Sequence, residues 1–115
     1  MIESESMEIR REDRSGATIL SPVGEIDLSR SPSLRAMLIE TLDESPARLV
    51  LDLGEVSYMD SSGVATFIEA MHVARQRSCA LILCALQDRV RSIFEIARLD
   101  MVFTIKPDTD AALAE

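Results

Sequence analysis

The chain has 115 residues, 47% of them apolar and 28% charged, which is enough for one domain with a core of its own. Its formal charge is −8, and 11 of its 12 basic residues are arginines scattered along the chain, so nucleic acid and anionic lipid are poor partners for it. No apolar run is long enough to span a bilayer, and residues 1–15 lack the apolar stretch of a secretory signal; the expectation is a cytoplasmic protein with no direct membrane insertion.

The first six residues read as loose. Residues 7–13 and 17–23 read as two short strands, and Arg14-Ser15-Gly16 between them has the chemistry of a hairpin turn. Gly24-Glu25-Ile26-Asp27 follows as a loop. Ser29 or Ser31 is suited to cap a helix, Pro32 to enter its first turn, and Leu34, Met37, Leu38 and Leu42 recur at helical spacing until the chain approaches Ser45-Pro46. Leu49 to Leu53 is a nearly continuous apolar run, the pattern of a central strand covered on both faces.

Gly54 to Asp60 reads as a loop, and Ser61 to Arg77 as a second helix with Val64, Phe67, Ile68 and Met71 on its apolar stripe. Cys79 to Ala85 is a further buried strand whose two cysteines, Cys79 and Cys84, point to opposite faces and cannot readily pair. Asp88 is suited to cap a third helix with Val90, Ile93, Phe94 and Ala97 inward; Met101 to Ile105 reads as a last strand, and residues 109–114 after Pro107-Asp108 as a last helix. Alternating β and α units predict one α/β domain over residues 1–115. Its sheet is mixed but mostly parallel, of about 4–5 strands opened by an antiparallel hairpin and covered by about 4 helices.

Chemistry concentrates at Met59-Asp60-Ser61-Ser62-Gly63, where a polar turn hands over to the second helix. Serine and aspartate are preferred helix caps, so Asp60 and Ser61 have a purely structural reading. A helix start also presents unpaired N–H groups and the positive end of the dipole, so a phosphate added there is tolerated by the fold. The residues alone leave both readings open. Glycine at position 63 either lets another backbone approach or permits close packing on the sheet.

The loops beyond the ends of parallel strands gather at one edge, which predicts Asp27 beside Asp60 and Ser61. Asp27 there is either a partner contact or a loop carboxylate that helps start the first helix. His72, the one histidine, lies 11 residues beyond Ser61 on the same helix. At 1.5 Å per residue that is about 16 Å away, out of hydrogen-bond range of a nucleophile. The sequence has no Gly-rich phosphate loop, no Gly-x-Ser-x-Gly elbow and no metal-ligand cluster. The expectation is no enzyme, no catalytic residue, no cofactor and no metal.

Three segments resemble the STAS domain family, and within it the bacterial anti-sigma factor antagonists: Val23 to Asp27, Leu51 to Gly63 and Cys84 to Phe94, with the Asp60-Ser61-Ser62-Gly63 turn the most specific. The likeness covers about residues 7–114. It implies a partner-switching protein that binds an anti-sigma factor which is also a serine kinase. The kinase phosphorylates the first serine of the turn, here Ser61 and with less support Ser62, and the modified protein lets go until a Ser/Thr phosphatase resets it. Asp27, Asp60, Ser61, Ser62 and Gly63 would form the partner-binding surface. Two alternatives keep the same fold: a STAS subunit docked permanently on a lipid ABC transporter, or a scaffold subunit of a stress-signalling assembly. Members of the family often carry a second glycine two residues after the motif glycine; alanine stands there in this chain, at position 65, and suits a helix better.

Overall fold

The structure is a computed structural model, which describes residues 5–115. The expectation that residues 1–6 are loose falls mostly on residues 1–4, which lie outside the described residues; Glu5 donates its N–H to Ser29 O at 2.8 Å.

Strands β1 (Glu8–Arg14) and β2 (Ala17–Ile26) form the expected antiparallel hairpin. Its two-residue turn has Ser15 at φ 48° and Gly16 at φ 84°. Both lie in the left-handed region, the geometry whose twist matches that of the paired strands. β2 runs three residues further than the sequence pattern indicated. Gly24 (φ 109°) and a register shift at Gly24/Glu25 bend the strand, after which it finds a new neighbour. The first half of β2 pairs in parallel with β3 (Arg48–Asp52), and its far half pairs in parallel with β4 (Val56–Met59).

β4 corrects the reading of residues 54–60 as loop. Only Val56 and Met59 are buried while Ser57 and Tyr58 between them are exposed, so the strand has no alternation to reveal it. With β5 (Ala80–Cys84) and β6 (Thr104–Lys106) the sheet has six strands, in the order β1-β2-β3-β5-β6 with β4 beside β2.

Helix α1 (Ser31–Asp43) carries Pro32 in its first turn as expected, yet neither Ser29 nor Ser31 caps it; the carbonyl of Asp27 accepts from the N–H groups of Arg30 and Ser31 instead. Helix α2 (Ser61–Gln76) stops one residue short of Arg77. Helix α3 (Asp88–Ile96) is preceded by Gln87 at the cap position, so Asp88 sits inside the first turn, and Ala97 is exposed rather than inward. A single 3-10 turn, Leu99–Met101, follows Arg98 in left-handed conformation and delays the last strand to Thr104. Helix α4 (Thr109–Leu113) is capped by the Asp108 carboxylate, which accepts from Ala111 N at 2.8 Å.

Alternation along the strands sorts the apolar runs into two cores. Leu20, Leu49 and Leu51 face α1, α2 and α3, where Leu34, Leu38, Leu42, Phe67 and Phe94 are fully buried. Phe94 stacks on Phe67 with centroids 6.3 Å apart and meets Phe103 edge-on at 5.6 Å. Ile19, Val50, Ile82 and Cys84 face the other way, under Ala112 and Leu113 of α4. The two cysteines are unpaired and buried, Cys79 in the first core and Cys84 in the second, as their spacing predicts.

Candidate functional site

β2 and β4 end side by side, with Ile26 paired to Met59. One residue further on, Asp27 and Asp60 leave the sheet in neighbouring lanes, about 4.8 Å apart across the strands. Asp60 N–H still donates to Ile26 O at 3.1 Å, which fixes the two turns against each other. The gathering of loops beyond the ends of parallel strands predicts these carboxylates together; the parallel register brings them together through β4, a strand the sequence does not reveal.

Asp60 is the cap of α2. One oxygen of its carboxylate, Oδ1, accepts from Ser62 N at 2.9 Å, from Gly63 N at 3.3 Å and from Ser62 Oγ at 2.5 Å. The Ser62 hydroxyl is thereby committed within the turn. Ser61 occupies the first helical position and is exposed, and none of the hydrogen bonds among the described residues engages its hydroxyl.

Gly63 lies beneath. It is buried, and a Cβ there would stand 2.6 Å from Met59 Cγ and 2.7 Å from Ile26 Cγ2. Its close approach is to the ends of β2 and β4, so the glycine lets α2 start hard against the sheet and raises Ser61 onto the surface.

Asp27 makes a similar turn with different company. Its Oδ1 accepts from Ser29 Oγ at 2.8 Å, Arg30 N at 3.1 Å and Ser29 N at 3.2 Å, while Oδ2 pairs with Arg30 Nη1 at 3.0 Å. These contacts, led by the Ser29 hydroxyl, hold its carboxyl below the usual carboxylate range. Leu28, between them, is 55% exposed.

Beside Ser61 opens an apolar groove of about 380 Å³, lined by Met59, Asp60, Ser61, Val64, Ile93, Ile96 and Ala97. Ile96 is 84% exposed. Sequence reasoning did not find this groove, although it left a trace. Ile96 is a large apolar residue outside the inward stripe of α3, with nothing in the helix to require it. His72 is exposed on α2, away from the turn, and among the described residues no group of three His, Cys, Asp or Glu side chains is placed to hold a metal ion.

The family profile of the STAS domain matches residues 8–112. The chain belongs to the STAS domain family. This STAS domain is 38% identical over 101 residues to the anti-sigma-B factor antagonist of Listeria monocytogenes, covering 88% of each chain. It is 28% identical over 87 residues to the anti-sigma-B factor antagonist of Staphylococcus aureus, covering 76% of this chain and 81% of that one. Its fold matches the crystal structure of an anti-sigma factor antagonist from Mycobacterium paratuberculosis with a TM-score of 0.87 at 25% identity, over 99% of this chain and 97% of the other. The anti-sigma factor antagonist SpoIIAA in its unphosphorylated form shares the fold at a TM-score of 0.70 and 18% identity, over 90% of this STAS domain and 91% of that chain. Among the described residues no helix is long and apolar enough to cross a membrane.

Proposed function

We propose that this STAS domain is an anti-sigma factor antagonist. It captures an anti-sigma factor that is also a serine kinase, and phosphorylation of Ser61 ends the capture. The observation that carries the reading is the division of labour in the 60–63 turn. Asp60 and Ser62 are locked into capping α2, whereas the Ser61 hydroxyl is exposed and unengaged among the described residues. Serines are common at helix starts, but a cap points its oxygen back at the helix. Ser61 does not serve in that way.

The groove supplies the other half of an interface. Val64, Ile93, Ile96 and Ala97 offer apolar surface to a partner, with Ser61 and Asp60 on its lining and Asp27 in the neighbouring turn. In the transfer step the Ser61 oxygen attacks the γ-phosphorus of ATP, the bond to the β-phosphate oxygen breaks, ADP leaves, and the hydroxyl proton passes to a base on the kinase. The product carries about −1.5 to −2 of added charge. Among the described ion pairs none involves Asp60, so the new charge meets an uncompensated carboxylate on one side and apolar groove on the other. Repulsion and desolvation then oppose the partner, while the α2 dipole makes the phosphate tolerable to the fold by roughly 0.3–1 kcal/mol. A phosphatase restores the hydroxyl and with it the binding surface.

The test is capture of the cognate anti-sigma factor by wild type, Ser61→Ala and Ser61→Asp, with mass spectrometry of the wild type after incubation with that kinase and ATP. The expected results are phosphate on Ser61, retention by alanine and a loss of roughly ten-fold or more for aspartate, the scale on which a misplaced interface charge acts. Phosphate on another residue, or equal capture by all three proteins, overturns the reading. Equal capture together with co-purification of a transporter ATPase would instead identify a permanently docked subunit.

A further inference from the structure

We infer that α4 is a latch over the second face of the sheet, and that its local opening controls access to the Cys84 thiol. The two faces are covered very unequally. α1, α2 and α3 pack on one; on the other, among the described residues, Ile19, Val50, Ile82 and Cys84 are gathered under Ala112 and Leu113 of α4. α4 has five residues. A helix that short has no stability of its own in water, so it persists only while something holds it down.

Four polar contacts do so. The Asp108 carboxylate caps its start at Ala111 N. Arg48, on β3, reaches up to the other end, where its two terminal nitrogens donate to the carbonyls of Leu113 and Glu115. Lys106 pairs with the Glu115 carboxylate at 2.9 Å. Arg48 bears a cost for this geometry, because its Nε is buried with no hydrogen-bond partner among the described residues. The guanidinium bridges strand and helix without being fully satisfied. A clasp built from one imperfectly paired arginine and a surface ion pair is suited to release without the rest of the fold.

Cys84 is the reporter of that release. It is fully buried beneath α4, and burial, aided by Asp52 and Asp108, pushes its thiol up to about 12. While the latch is shut the thiol is therefore both covered and protonated; opening admits water and reagent together. Cys79, in the opposite core, supplies an internal control in the same molecule.

The experiment is the rate of reaction of each cysteine in the folded protein with an aromatic disulfide. The thiolate attacks one sulfur of the reagent, a mixed disulfide forms, and the coloured aromatic thiolate leaves. Mass spectrometry assigns the label to Cys84 or Cys79. In wild type, Cys84 should label at a rate nearly independent of low urea concentrations, because lifting five residues exposes little surface. Arg48→Ala should raise the Cys84 rate about ten-fold or more while leaving the Cys79 rate unchanged, given the strength of hydrogen bonds to a charged donor. Should that variant not fold, Lys106→Ala breaks the ion pair to Glu115 and should act in the same direction. Parallel acceleration of both cysteines would mean that Arg48 stabilises the whole domain, and no acceleration of Cys84 in either variant would mean that α4 does not open; each result overturns the latch.

Discussion

Asp27 and Asp60 each follow the last paired residue of a strand, and each folds its carboxylate back onto the amides two and three positions on: Ser29 and Arg30 for one, Ser62 and Gly63 for the other. The backbone solution is shared, and the charge is treated in opposite ways. The first turn carries its own cation, since Arg30 pairs with Asp27 and also with Glu5. The second turn spends its carboxylate on helix N–H groups and a serine hydroxyl, with no cation among the described ion pairs, and leaves an exposed serine one position on. A turn with a cation at hand has a partner for a further negative charge at its mouth. The other has none, and in the proposed switch that difference accounts for sensitivity to phosphate at Ser61 rather than at Ser29.

The largest expected effect comes from forcing the second turn off the sheet. Gly63→Ala places a methyl group 2.6 Å from Met59 Cγ and 2.7 Å from Ile26 Cγ2, both in buried side chains near the protein's core. Overpacking of this kind costs about 1–3 kcal/mol, against which alanine returns up to about 1 kcal/mol of helix propensity. The steric contribution should win, and urea unfolding should show a lower midpoint. No equivalent constraint applies at Arg30, the matching position of the first turn, which bears a long side chain already. A raised midpoint for the Gly63 variant would mean that α2 can slide away from β2 and β4 without loss.

Next in size is removal of the cap. Asp60→Ala strands the N–H groups of Ser62 and Gly63 and should cost about 0.5–2 kcal/mol. α2 contributes Phe67, Ala70 and Ala74 to the core, so the loss should appear in global stability rather than as local fraying. Ser62→Ala keeps the two amide bonds and should cost less. If the two variants were equally destabilised, the Ser62 hydroxyl would be as necessary to the turn as the carboxylate.

The same pair of turns marks what was readable in the sequence. Asp60, Ser61 and the start of α2 were legible because strand-like Leu49 to Leu53 and the stripe of Phe67 and Met71 bracket a polar turn with strong capping residues. Asp27 falls at the expected edge of the sheet, although the sequence pattern ends its strand three residues early. Gly24 looks like a loop residue in one dimension, whereas in the fold it bends β2 toward a second partner. That partner, β4, has a buried–exposed–exposed–buried pattern set by its position at the end of the sheet, which no period of two can detect. The groove was invisible for a related reason. It depends on α3 lying beside the start of α2, a tertiary fact, and only the misplaced Ile96 hints at it.

The smallest effect is also the one that separates charge from geometry. Because its contacts hold the Asp27 carboxyl below the usual range, the folded state favours its ionised form. The stabilisation is fully present above the unfolded value of about 3.9 and is lost as pH falls through the lower folded value. Asp27→Asn can still accept from the amides of Ser29 and Arg30 but cannot pair with the Arg30 guanidinium. Wild type should therefore be the more stable protein near pH 7, and the gap should close in acid as pH falls through the folded value. The group is partly exposed, so added salt should narrow the gap at neutral pH as well. Urea titrations of both proteins between neutral pH and acid check this. A gap that ignores both pH and salt would show that the first turn is held by amide geometry alone, and the contrast in charge between the two turns would lose its energetic meaning.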